Sequence, residues 1–501
     1  MHRIARKLSV SLPPFIWLAV RIGLSIALVA GYYALLILVG GGFVWVAHRF
    51  WLRKDAVGFI MNYVCQFIGI PILVSAPVPR RFRIPGARLD PVEHPLLFDR
   101  VRRIASLAGQ DMPAEIYATE SAWTATQYRG GILCFGGKPV LLIGLPLLHL
   151  LTVSQFDAVV AREFGHIRRR DPFTAHCIWK INEGIRCLRY MLAGTPLTLF
   201  WKRTDIFFFP FFLYQNFLAW LLGPICQAQQ LVADRYAAGL VGNRALADAL
   251  IILEENTGRF LKYRLHEVLP AALLGYEIPL IDGFAAYLES STDPPDEGGG
   301  DAQPPLAERL SAIADLAVGD TNDDSPALSL VNHLESLERG ALATCAVPGE
   351  RKLKPIPWLE AGERVVVTKW ARMSWSNHAA YGDYSLDCLP SIVAFRLDAF
   401  AKAVWERKIR DAAERDYAKE VLIAAFGYHL YREGWDIDHK PGSTRMSRDG
   451  ATIDPNQLIK DMASPEFTQD KWRAMLATWK LDPFSYLDPH RPSGRDAAST
   501  S

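Results

Sequence analysis

The richest chemistry in this chain lies in residues 159–171, VVAREFGHIRRRD. Two histidines four residues apart on a helix present both imidazoles on one face, where they can share a zinc ion. A glutamate just after the first can then deprotonate the metal-bound water. That spacing is kept here, but Arg162 fills the first position. Glu163 stands at the general-base position and His166 at the second ligand position. A guanidinium carries five donors and no lone pair, so Arg162 cannot replace the missing imidazole.

A second segment, QQLVADRYAAGLVG at 229–242, pairs Gln230 with Asp234 one helical turn later. Together with VLLIGLPLLHLLTVSQFDAVVAREFGHIRRRD (140–171), EHPLLFDRV (93–101) and PPLAERL (304–310), it resembles the membrane zinc metallopeptidases of the HtpX and CAAX-prenyl-protease type, metallopeptidase family forty-eight. The resemblance covers about residues 85–345. It implies a gluzincin-type fold, with the third zinc ligand a glutamate where this chain has Gln230, and Asp234 behind the ligands. Of the three implied ligands only His166 is retained. Zinc sites use Cys, His and carboxylate, and the amide of Gln230 is none of these.

The two replacements make sense together. Arg162 can donate to the Gln230 oxygen and pair with Glu163 or Asp234, turning the metal pocket into an ion-pair network. No cofactor is then expected, and zinc only if Cys226, Asp234, His149 or His176 acts as a stand-in ligand for His166. The resemblance thus implies a membrane metallopeptidase-family protein. One expectation is a catalytically impaired pseudo-peptidase. It would bind polypeptide or a partner membrane protein in membrane protein quality control, through the edge of a small sheet. The alternative is an active zinc metalloendopeptidase with non-standard ligands and Glu163 as base. In a third reading the C-terminal region does the work.

The elements that must position these side chains surround them. Thr152 and Gln155 form a capping-box start for the helix carrying Arg162. Leu97, Val101, Ile104 and Leu107 have helical spacing over 93–108. Glu115–Thr119, Gly131–Phe135 and Pro139–Ile143 read as short strands. Helices are expected over Gln227–Val241, from Asn243 to Glu255, over 306–346 and over 394–431. A β-hairpin followed by small helices is expected from 434. The fold class is α+β: a mainly helical zincin-like domain with a small sheet, an N-terminal transmembrane helical hairpin and a C-terminal α+β extension.

Ile22–Ala47 and Ala56–Pro79 contain no charged side chain. At about 1.5 Å per residue each is long enough to cross about 30 Å of hydrocarbon. Arg3, Arg6, Lys7 and Arg21 precede the first run, and Arg80, Arg81, Arg83 and Arg88 follow the second. Their placement puts both ends of the hairpin, and the peptidase-like domain, on the cytoplasmic side of a multi-pass membrane protein. The basic cluster Arg168–Arg170 reads as a solvated or membrane-facing anchor. A third uncharged run, Ile206–Ala233, is interrupted by Pro210, Gly223 and Pro224. It is expected to form a hairpin dipping into the bilayer or a buried helix pair, since one straight crossing would separate His166 from Gln230.

The expected organisation is a membrane hairpin at 1–80 and a peptidase-like domain at 81–290, with an apolar insert at 190–227. A linker and helical end follow at 291–349, then a C-terminal domain at 350–488 and a disordered tail at 489–501. Half of the 501 residues are hydrophobic, which excludes a disordered chain, and a net charge of +2 gives no field for nucleic acid. Seven cysteines without a CxxC pair give no disulfide framework. The expected partners are the lipid bilayer and polypeptide.

Overall fold

The apolar runs at the N-terminus become two long helices, α1 (Pro14–Trp51) and α2 (Ala56–Ser75), packed side by side. The computed structural model describes residues 14–75, 86–129, 137–169, scattered positions from 177 to 188, 205–290, 303–316, 323–345, 353–405 and 412–491. Gly131–Phe135, His176, Arg170 and most of the linker and tail lie outside the described residues. Contacts divide the chain into two units: 1–257 with 296–337, and 258–295 with 338–501.

In the first unit, α1 and α2 build an apolar cluster with residues from 181–188 and with a third long helix. Leu28, Tyr32 and Leu36 meet Ile68 and Ile72, then Ile181, Ile185 and Leu188, and finally Phe211, Leu218, Leu222 and Ile225. Among the described residues three helices are long and apolar enough to cross a membrane: Ile22–Trp51, Ala56–Val74 and Phe209–Val241. The outward side chains of the last, including Phe212, Leu213 and Trp220, are exposed.

The polar part of this unit is a small mixed sheet with helices packed against it. Strands β1 (Ala87–Arg88), β2 (Glu115–Thr119), β3 (Ala125–Arg129) and β4 (Lys138–Gly144) lie in the order β1-β2-β4-β3. β2 runs parallel to β4, pairing Ile116 with Leu141, while β3 runs antiparallel at the edge, pairing Gln127 with Val140. Helix α3 (Pro95–Leu107) buries Leu97, Phe98, Val101 and Ile104. After the short α4 (Leu145–Leu150) comes α5 (Val153–Arg168). Its capping box is formed, with the Thr152 N–H donating to Gln155 Oε1 at 2.9 Å.

Helix α6 (Asp205–Val241) corrects one expectation. Its 37 residues form one continuous helix, and neither Pro210 nor Pro224 ends it. A proline inside a helix removes one backbone hydrogen bond and bends the axis, which neighbouring helices tolerate when they hold both sides. Phe211, Leu222 and Ile225 are held in that way within the apolar cluster. Helix α7 (Asn243–Tyr263) follows, and after α8 (Leu280–Ser290) the short α9 (Leu306–Ile313) returns to pack on α6.

The second unit takes in 258–295 besides the region from 338 onward. A short parallel pair joins β5 (Tyr276–Glu277) to β6 (Lys354–Pro355), and Glu338 in α10 (Leu334–Cys345) accepts from the Ile281 N–H at 2.8 Å. The tryptophans here fill a core: Trp370 of α11 (Thr368–Ser376), Trp435 and Trp472 are buried among Leu386, Val421, Leu422 and Phe426. The short α12 (His378–Tyr381) follows α11. The stretch expected as one helix over 394–431 is described as α13 (Leu397–Trp405) and α14 (Ala412–Arg432), on either side of 406–411. The hairpin gains a third strand, giving β7 (Asp436–Lys440), β8 (Ser443–Arg448) and β9 (Ala451–Ile453). The Asp449–Gly450 turn, both residues at positive φ, is the two-residue connection that joins β8 to β9. Two small helices, α15 (Pro455–Met462) and α16 (Gln469–Thr478), complete it.

Candidate functional site

Gly165 lets helices α5 and α6 pack closely. A Cβ there would stand 3.1 Å from the Tyr236 ring and 3.2 Å from the Ala233 Cα. The absent side chain lets the two backbones approach and brings Arg162 opposite Gln230 and Asp234. Tyr236 also fixes the neighbouring surface. Its hydroxyl donates to the Ala108 carbonyl at 3.1 Å, and Arg168 stacks on its ring at 5.4 Å. This stacking gives Arg168 a partner within the protein, beyond the anchor role expected of it.

Arg162 Nη2 donates to Gln230 Oε1. Its Nε lies 3.2 Å from Asp234 Oδ1 without forming an aligned hydrogen bond. Asp234 is fully buried and is also gripped from the other side by Arg309 of α9, whose Nε and Nη2 donate to its two oxygens at 2.8 and 2.9 Å. Arg309 is itself 5% exposed. Burial, and then the like charge of Arg309, pull the Arg162 guanidinium below its ordinary value, while Asp234 and Glu163 oppose that shift. The formal charges of two arginines and two carboxylates cancel, and such a set is tolerable in a low-dielectric site only when its members are bonded to one another.

Glu163 is buried, and the Thr126 hydroxyl of β3 donates to its Oε2 at 3.2 Å. His166 is buried on the same helix, one turn beyond Arg162. Arg162, Gln230 and Asp234 therefore meet directly, with Glu163 electrostatically linked to Arg162. Cys226 lies one turn before Gln230 on α6 and His149 in α4. Neither forms, with His166, a trio of His, Cys, Asp or Glu converging on a point among the described residues.

Two residues of this network escaped sequence reasoning. Arg309 sits in the PPLAERL segment, whose match to a known pattern flagged the segment but not the arginine's partner. Thr126 lies on the strand Ala125–Arg129, which the sequence reading did not include. A further buried acid, Asp157 on α5, lies 3.8 Å from Arg100 of α3, and burial pushes its carboxyl up to about 6.

Residues 92–317 match the family described as Peptidase family M48. The chain is also 24% identical over 306 residues to a Protease HtpX homolog from Pelotomaculum thermopropionicum, which covers 58% of this chain and 97% of that protein. No solved structure matches it. Family M48 is generally zinc-dependent.

The residues present here do not fit a zinc ion. Arg162 is a cation with no electron pair to give, and Gln230 offers an amide whose oxygen already accepts from that cation. The nearby carboxylate of Asp234 has both oxygens engaged by Arg309.

Proposed function

Because residues 92–317 belong to peptidase family M48, we propose that this chain is a membrane protein of that family that binds extended polypeptide without hydrolysing it. The observation that carries the reading is the bond between Arg162 and Gln230, a cation and an amide standing where the family resemblance implies two metal ligands. Hydrolysis of this type requires a metal that polarises the carbonyl and acidifies water. Without it, Glu163 is a buried carboxylate tied to Thr126.

Peptide binding needs no metal. Among the described residues β3 has β4 on one side and no strand on the other in its sheet, so its outer edge is suited to an added strand. Thr126 in β3 touches Glu163, so a chain added there would run beside the former metal pocket. The substrate class is an unfolded or membrane-protein segment, or a partner peptidase, in membrane protein quality control.

The membrane arrangement we propose is multi-pass, with the M48-type domain on the cytoplasmic side. Ile181, Ile185, Leu188 and the first half of α6 share one apolar cluster with α1 and α2. That shared cluster supports a path that enters the layer and returns between His166 and Gln230, which would keep the two on one side.

Two measurements on the purified full-length chain in detergent test this reading. Casein cleavage is expected to be absent with or without chelator. Binding of a fluorescently labelled extended peptide is expected to persist in chelator. Chelator-sensitive cleavage abolished by Glu163→Gln would overturn the reading, as would bound zinc that is lost in His166→Ala.

A further inference from the structure

We propose that His378, Asp488 and His490 form a binding site for a divalent transition-metal ion of the zinc class, in the second unit and independent of the α5–α6 network. Among the described residues these three are the group of His, Cys, Asp and Glu side chains whose ligand atoms converge, all within 4.8 Å of one another. A tetrahedral zinc with bonds of about 2.0–2.1 Å holds its ligands about 3.3 Å apart, so the three side chains need close in by at most about 1.5 Å. Two imidazoles with one carboxylate select zinc, cobalt, nickel or copper over magnesium and calcium, which prefer oxygen throughout. His378 and His490 are exposed, so further coordination positions face water.

The site is built and held in place. The His490 ring sits edge-on to Trp375 at 4.4 Å and to His378 at 4.5 Å. The His490 backbone N–H donates to Asp488 Oδ1 at 3.0 Å, which fixes the turn that carries both ligands. Arg432 donates to the carbonyls of Pro489 at 3.2 Å and Arg491 at 3.3 Å, on either side of His490. The Leu487 N–H donates to the Tyr384 carbonyl at 3.0 Å, and Arg491 pairs with Asp383 at 2.5 Å. The segment bearing Asp488 and His490 is thus pinned to the segment that follows His378. Ligands held by their own backbone bonds lose little entropy when an ion binds, which favours binding.

The test is a cobalt titration of the tag-free full-length chain in detergent, read by visible absorption and reversed by zinc. One cobalt per chain is expected to bind. Affinity should fall about tenfold or more in His378→Ala and in His490→Ala, and also in Asp488→Asn, which keeps an acceptor for the His490 N–H. It should stay unchanged in His166→Ala. Thermal melting of each variant, followed by fluorescence of the buried Trp435 and Trp472, should match the parent. Cobalt affinity unaffected by either histidine substitution would overturn the proposal, as would the absence of binding to the parent chain. The same variants separate this site from the M48-type one: metal lost with His378 speaks only to this proposal, metal lost with His166 only to the preceding one.

Discussion

On α5 and α6 the spacing resembles that of a metal site, but Arg162 has no electron pair to give and bonds instead to Gln230. At the C-terminal turn no spacing announces anything, yet two imidazoles and a carboxylate converge there. The contrast shows that a sequence pattern reports backbone geometry, while metal binding is decided by which atoms carry lone pairs at the end of that geometry. The first region is closed and internally neutralised. The second is open to water, with its ligands on a braced turn.

The largest expected effect comes from undoing the contrast. Arg162→His combined with Gln230→Glu gives, with His166, three zinc-type ligands on an unchanged scaffold. Elemental analysis should find stoichiometric zinc that is lost on adding His166→Ala. If the double variant folds but takes up no such zinc, the α5–α6 geometry has departed from that of a metal site and the comparison fails.

Next is Arg309→Ala, which strips the two-pronged partner from a fully buried carboxylate. Loss of about 3–5 kcal/mol is expected, measured by denaturant unfolding. Arg162→Ala should cost less, about 1–3 kcal/mol, because Asp234 keeps Arg309. Equal costs for the two would mean that Arg162 shares the structural burden evenly.

Asp157 sharpens the picture through pH. Its folded carboxyl is pushed up to about 6, above its ordinary value, because burial disfavours the charged form. The stability it contributes is present at low pH and lost as pH rises through about 6. Asp157→Asn should therefore raise the melting temperature at pH 7.5 and remove part of the pH dependence between 4 and 6. An unchanged melting profile would refute this assignment. His429, buried in the second unit and lowered to about 4 chiefly by burial, has the opposite sign. Its neutral form supports the fold, and that support is lost as pH falls from about 6.5 toward 4. The smallest effect is on stability at the second site. His378→Ala should shift unfolding by less than about 0.5 kcal/mol, as for an exposed residue away from the core.

Much of the first unit was legible because its signals are local. Thr152 with Gln155 marked the start of α5, periodicity marked α3, and uncharged length marked α1 and α2. The Arg162–Gln230 contact could be anticipated because Arg162 brings donors and the Gln230 amide keeps an acceptor oxygen. What stayed hidden depends on tertiary packing. Arg309 reaches Asp234 from a helix 75 residues away. Thr126 reaches Glu163 because the edge strand is Ala125–Arg129. His378 and His490 have no periodic relation at all. The continuity of α6 was missed because two prolines are read as helix breaks in water, where no neighbouring helix braces the bend.

That continuity makes α6 a mechanical element. At about 1.5 Å per residue it is about 55 Å long, against about 30 Å of hydrocarbon in a bilayer. Its first half lies among the apolar helices and its last turns hold Gln230 and Asp234. A stiff rod of that length, rocked by about 10° around its centre, displaces each tip by about 5 Å, far more than a hydrogen bond survives. Pro224 stands between the halves and leaves the Trp220 carbonyl without its usual helical donor, so flexure is cheapest there. A thinner or thicker lipid sheet would be absorbed at that joint first, sparing the buried charges beyond it.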